Sequence, residues 1–301
     1  MGFRERLEQA WALQNSLVCV GLDTDLQQLP ACVRDRNQWD HDRLHEFNQT
    51  IVDSCAPFCS VFKLNLAFYF GLYSDSTLGV LVGTIKYIRK RHPRHVIILD
   101  AKWGDVKNTA ARYAGFAFQY LGVDAVTLWP GTGSESMRPF FDDPEHGAIF
   151  VCRTSNPGSP ELQDAPVFIG YNDGTRAAKT EPYWFWQGKQ IARWNQHGNV
   201  GLVMGATFPG ELRQMREAVG DDMFSLNPGI GAQTKEQGIE NPIQAAVEAG
   251  QNSSGKGMII NSSRGIIFAS SGEDYAEAAA RETERLRDEI NRFRIRQEVT
   301  R

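Results

Sequence analysis

Apolar runs of strand length recur along the chain, with amphipathic stretches between them. The runs fall at 17–22 (LVCVGL), 60–64 (SVFKL), 96–100 (VIILD), 123–128 (VDAVTL), 148–153 (AIFVCR), 200–204 (VGLVM), 222–227 (DMFSLN) and 257–261 (GMIIN). Several are apolar throughout rather than alternating, which is the pattern of strands covered on both faces. Helical periodicity occupies 42–56, 77–91, 106–120, 209–219 and 240–250. Strand–helix alternation predicts parallel βαβ units. Eight such strands in 301 residues predict an α/β chain folded as a closed (β/α)8 barrel, one domain spanning 1–301, rather than an open doubly wound sheet.

Two segments depart from the repeat. The connection after the fifth strand, 155–196, is too long for a simple turn, and loops of that size are functional, disordered or part of an interface. Its aromatic cluster Tyr183, Trp184, Phe185 and Trp186 predicts docking on the barrel or on a neighbouring chain. The C-terminal stretch EDYAEAAARETERLRDEINRFRIRQEVTR reads as one helix with a charged, solvated face.

Composition narrows the classes of partner. A formal charge of −4 spread along the sequence offers no basic stripe for nucleic acid. No apolar run approaches the roughly 18–20 residues of a membrane span, and the opening MGFRERLEQAWALQ lacks a signal peptide's apolar core. The cysteines 19, 32, 55, 59 and 152 are odd in number and scattered, which predicts a reducing, cytoplasmic setting. Cys55 and Cys59 share a helical spacing, as do His41 and His45, but neither pair has the further ligands of a metal site. Buried thiols and a solvated helix face are the expected readings, with no metal.

The chemistry lies where apolar strands end in charge. Asp23 closes the first strand, Lys63 sits late in the second between Phe62 and Leu64, and Asp100 and Lys102 end the third, two residues apart and so on one side of an extended chain. Asp105 follows, and by itself is equally a helix cap. In a parallel barrel these positions face the cavity in which active sites form. Two carboxylates and two ammonium groups at about 4 Å gain ~4 kcal/mol per contact at an effective dielectric of ~20. Desolvation removes much of that gain, so the array is better explained as a preorganised field acting on a charged substrate.

A phosphate site is expected in the loops after strands seven and eight. There NPGIGAQTKEQG carries Gly229 and Gly231, and NSSRGIIFA carries Arg264. The glycines allow close approach of backbone N–H groups to an anion, and the guanidinium offers a planar fork. Turn chemistry is the alternative for the glycines taken alone. A second glycine-rich stretch, GTGSES at 131–136, lacks the ending of a nucleotide-triphosphate loop and reads as a turn into a helix.

LDAKWGDVKNTA, with Lys63 behind it and Asp23 ahead, resembles the signature of the orotidine 5′-phosphate decarboxylases, Asp-x-Lys-x-x-Asp on the third strand. The resemblance runs from VGLDTD to NSSRGI and is closest to the longer branch of that family, to which FKLNLAFYF and TSNPGS are also similar. Trp103 and Lys107 depart from it, standing where the branch often has Arg and Gly. The resemblance implies conversion of orotidine 5′-monophosphate to uridine 5′-monophosphate and CO2, the last step of pyrimidine nucleotide synthesis, without a cofactor. It implies Lys102 as proton donor, with Asp100, Lys63 and Asp105 as its catalytic companions. It further implies Gln233 and Arg264 on the phosphate, Ser155 on the pyrimidine edge, and Asp23 and Asn65 near the ribose or orotate. Asp105 and Thr109 are implied to enter the neighbouring subunit's site in a homodimer. For Ser155, capping of the turn before Pro157 stays open as an alternative.

Overall fold

In the computed structural model, which describes residues 1–36, 38–71, 77–171, 177–230 and 240–295, eight parallel strands close on themselves. They are β1 (Val18–Gly21), β2 (Val61–Asn65), β3 (Val96–Trp103), β4 (Ala125–Leu128), β5 (Gly147–Arg153), β8 (Val200–Met204), β9 (Phe224–Pro228) and β10 (Met258–Ser262). β1 pairs with both β2 and β10, which completes the barrel. All eight expected strands form, including the two with the least regular pattern, at 60–64 and 222–227. Their uniform burial explains their uniform apolarity: β1, β4, β5 and β8 are buried at every position.

Register sets which strand residues meet at the mouth. Gly21 pairs with Lys63, Lys63 with Ile98, and Asn65 with Asp100. Phe62 faces outward, its ring 5.3 Å from that of His95, while Lys63 beside it turns into the barrel. The opposite end is floored by the helix Phe3–Gln14, which buries Phe3, Leu7, Ala10 and Trp11. Arg6 and Arg89 there hold the Asp124 carboxylate at 3.2 and 2.6 Å. With the floor sealed, the C-terminal strand ends are left as the open face.

The long connection is structured among its described residues. It holds a short helix (Pro160–Gln163), an antiparallel hairpin of β6 (Pro166–Tyr171) and β7 (Ala178–Pro182), and the helix Tyr183–Ala192. That last helix buries Trp184 and Ile191, and the carbonyl of Trp184 accepts from Cys152 Sγ of β5 at 3.1 Å. The aromatic cluster therefore docks on the barrel, as its composition predicts. The helical periodicity over 106–120 forms as the helix Lys107–Ala114, which passes into a wider π-helical turn over Gly115–Leu121. The terminal helix Tyr275–Phe293 buries Tyr275, Ala279, Thr283, Leu286 and Ile290 along one stripe.

Candidate active site

At the mouth, the ends of three adjacent strands, β1, β2 and β3, bring opposite charges into contact. Lys63 Nζ lies 3.3 Å from Asp23 Oδ1 and 3.1 Å from Asp100 Oδ2, bridging the two carboxylates. Lys102 Nζ lies 2.6 Å from the other Asp100 oxygen. The sequence Asp23–Lys63–Asp100–Lys102 is thus an alternating chain of anion and cation. Side-chain exposure falls from 47% at Lys102 to 10% at Asp100 and 4% at Lys63. Lys102 consequently presents its ammonium to the open face, while its partners are held in the wall.

Electrostatics fixes the charge states of the inner members. Burial by itself would push Asp100 up, but Lys63 and Lys102 outweigh it and hold the carboxyl well below the usual range. Burial would push Lys63 down, yet Asp100 and then Asp23 hold its ammonium above the ordinary lysine value. Both groups therefore stay ionised across the neutral range. Removing Lys63 would leave Asp23 without its cation and Asp100 with Lys102 alone, a loss of up to about 3–5 kcal/mol.

Thr127 of β4 is a site residue that sequence reading misses. Its Oγ1 donates to Asp100 Oδ1 at 2.7 Å and accepts from the Lys102 backbone N–H at 3.0 Å. Lys102 needs this help because its φ is +49°, a left-handed backbone that a non-glycine residue adopts at a cost. One hydroxyl so pins both the strained backbone of the lysine and its carboxylate partner. The available signal was the single hydroxyl in AVTL, at the strand end facing Asp100. Thr127→Val keeps the shape and removes both bonds, and should lower kcat about tenfold to a hundredfold with little change in KM. Steady-state kinetics beside Thr127→Ser checks this, since serine should restore most of the rate.

Several expected residues lie apart from this cluster. Asp105 is on the rim, its Oδ1 accepting from the Val106 N–H at 2.7 Å, and it makes no ion pair among the described residues. The helix cap that Asp105 could have supplied falls instead on Val106, without a side-chain bond. Thr109 lies in the first turn of that helix and is half-buried. Asn65 caps the helix Leu66–Phe70, its Oδ1 accepting from Ala67 N–H at 3.2 Å, so its carbonyl oxygen already has a structural task. Trp103 stacks on Tyr113, with ring centroids 4.7 Å apart, so that departure from the family pattern serves packing.

On the far side of the mouth Ser155 follows β5, half-buried. Gly229 follows β9 with φ +97°, a conformation that suits glycine. Arg264 opens the short helix Arg264–Ile267 after β10, exposed and with no ion pair among the described residues. Gly231 and Gln233 lie outside the described residues. The structure therefore groups Asp23, Lys63, Asp100 and Lys102 tightly, and sets Ser155, Gly229 and Arg264 at the ends of other strands around the same opening. The five cysteines are free, four of them buried. The described residues contain no His/Cys/Asp/Glu group suited to a metal ion, and no helix among them is long and apolar enough to cross a membrane.

Comparison with known proteins agrees with this geometry. Orotidine 5′-phosphate decarboxylase of Bordetella avium is 43% identical over 295 residues, spanning 98% of this chain and all of that protein. The enzyme of the same name from Ralstonia nicotianae is 40% identical over 299 residues, again 98% of this chain and all of that protein. Among solved structures, Leishmania donovani OMP decarboxylase superposes with a TM-score of 0.73 at 28% identity, covering 96% of this chain and 99% of that one. UMP synthase of the same organism gives 0.77 at 30% identity, covering 98% of this chain and 56% of that one. Residues 16–280, which hold every strand end described above, match the orotidine 5′-phosphate decarboxylase / HUMPS family, and the chain belongs to it.

Proposed function

We propose that the chain removes CO2 from orotidine 5′-monophosphate to give uridine 5′-monophosphate, using the Asp23–Lys63–Asp100–Lys102 array with Lys102 as proton donor. The single observation that carries this reading is the fixed alternation of charge, with the one exposed member a lysine. Cleaving the bond from C6 to the carboxylate leaves its electron pair in an sp2 orbital outside the ring's π system. The ring cannot delocalise that pair, so a positive charge must be waiting at C6. Lys102 supplies it, stabilises the carbanion and passes a proton from Nζ to C6, recovering one later from solvent. Asp100 faces the departing carboxylate and orients Lys102. Lys63 and Asp23 hold Asp100 in place and reach the ribose.

The remaining roles follow the strand ends. Ser155 addresses the pyrimidine edge, Asn65 the ribose or orotate, and Arg264 the phosphate together with Gly229, Gly231 and Gln233. Asp105 and Thr109 serve the neighbouring subunit of a homodimer, in the cytoplasm. Remote grip on the phosphate then contributes to the step at C6 by holding the nucleotide in register. Arg264→Ala should lower kcat/KM by about two to three orders of magnitude, the value of one or two charge-assisted bonds. The measurement is steady-state kinetics on protein of native melting temperature, and an unchanged kcat/KM removes Arg264 from the site.

A metal-dependent aldolase on a related barrel is the nearest rival. Such an enzyme needs a cation among the strand-end carboxylates, and here the protein's own Lys63 occupies that place between Asp23 and Asp100. Schiff-base chemistry requires a neutral amine, which the paired carboxylates disfavour at Lys63. The deciding experiment follows the ultraviolet spectrum of orotidylate with purified protein and added chelator. Conversion undiminished by chelator is expected. Tight binding without conversion would favour a nucleotide-phosphate sensor, chelator-sensitive turnover the metal enzyme, and borohydride trapping the Schiff base.

A further inference from the structure

The excursion 154–163, which carries Ser155, is closed at its base by paired side chains. Arg153, the last residue of β5 and 1% exposed, grips Glu211 through Nε and Nη2 at 2.6 and 3.1 Å. Its Nη1 meets Asp164 at 2.9 Å, and its guanidinium lies 4.7 Å over the Phe208 ring. One residue inward, the buried Gln163 spans the gap: its Oε1 accepts from the Thr154 N–H at 3.0 Å and its Nε2 donates to Thr154 Oγ1 at 2.9 Å. Thr154 Oγ1 in turn donates to Asn156 Oδ1 at 2.7 Å. A continuous line of hydrogen bonds thus runs from Gln163 to both neighbours of Ser155.

Packing holds this excursion on one flank only. Beside it opens a pocket of about 560 Å³ that is accessible to solvent, lined by Thr154, Asn156, Gly158, Ser159 and Gln163 together with Tyr183. On its other flank Ser155 rests against Gly205, where any side chain would come within 3.2 Å of the Ser155 Cα and N. A loop bordered by an open pocket takes much of its position from its hydrogen bonds, since no filled core backs it on that side. We propose that Gln163, seated across Thr154 and braced by the Arg153–Asp164 pair, is a positioning residue for Ser155 and so sets how tightly the pyrimidine half of the nucleotide is held. The proposal rests on Ser155 addressing the pyrimidine. It gives the first part of the long connection a role in substrate recognition.

The test compares two ligands that share a phosphate and differ in the base. Gln163→Leu, near in size but unable to make either bond, should weaken uridine 5′-monophosphate about tenfold while leaving ribose 5-phosphate within about twofold. Gln163→Glu keeps an oxygen for the Thr154 N–H and should recover most of the affinity. Adding Gln163→Leu to Ser155→Ala should cost nothing further, because the serine it positions is gone. Equal weakening of both ligands, or no weakening by Gln163→Leu while Ser155→Ala weakens the nucleotide, overturns the positioning role alone. Full nucleotide affinity in Ser155→Ala overturns the reading of Ser155 and the inference with it. Should Gln163→Leu not fold, Thr154→Val removes the same side-chain link and takes its place in each comparison.

Discussion

Lys102→Ala should bring turnover of orotidylate down by at least about four orders of magnitude, because one substitution removes both the proposed general acid and the only exposed positive charge of the array. The two effects multiply, since the ammonium acts first on the developing carbanion and then on the same atom as acid. Affinity for uridine 5′-monophosphate should change far less, as Arg264 and Ser155, proposed for the phosphate and the pyrimidine, lie on other strand ends. Asp100 would remain ionised in the variant through Lys63 at 3.1 Å, so the wall of the site should survive. Single-turnover kinetics and nucleotide titration on the same preparation separate the two quantities. Near-normal turnover would end the proton-donor assignment.

How much of this was legible beforehand depends on where each interaction sits along the chain. Lys63, Asp100 and Lys102 were legible because each interrupts or ends an apolar run, and a charge there has few uses other than a shared cavity. Thr127 was not, because a threonine inside AVTL is ordinary strand composition and its meaning comes only from the register of β4 beside the end of β3. The clasp at Arg153 was hidden for a similar reason. Its partner Glu211 lies 58 positions away on the helix Pro209–Val219, and no local pattern joins them. The hairpin β6–β7 escaped because it stands off the barrel with most positions exposed or half-exposed, so burial never imposed a clean alternation on its sequence. The loop proposed for phosphate is a different case: its motif could be read, but Gly231 and Gln233 fall outside the described residues.

Asp105 raises the question of why a signature carboxylate lies on the rim, bonded to its own neighbour's N–H and not to the array. Beside it two large apolar side chains are exposed, Val106 at 59% and Trp129 at 45%. Thr132, three residues past Trp129, donates to the Asp105 carbonyl at 3.1 Å, which joins these residues into one face. In the proposed homodimer, a second copy of the chain covering that face would bury these apolar groups and carry Asp105 toward the partner's Lys102. Mixing tests this directly. Asp105→Ala and Lys102→Ala chains, each nearly inactive alone, should regain activity when allowed to exchange subunits. In a random mixture half of the dimers are mixed, and each mixed dimer holds one site with both groups intact, so about a quarter of wild-type activity is expected. Verified mixed dimers that stay inactive would confine each site to a single chain.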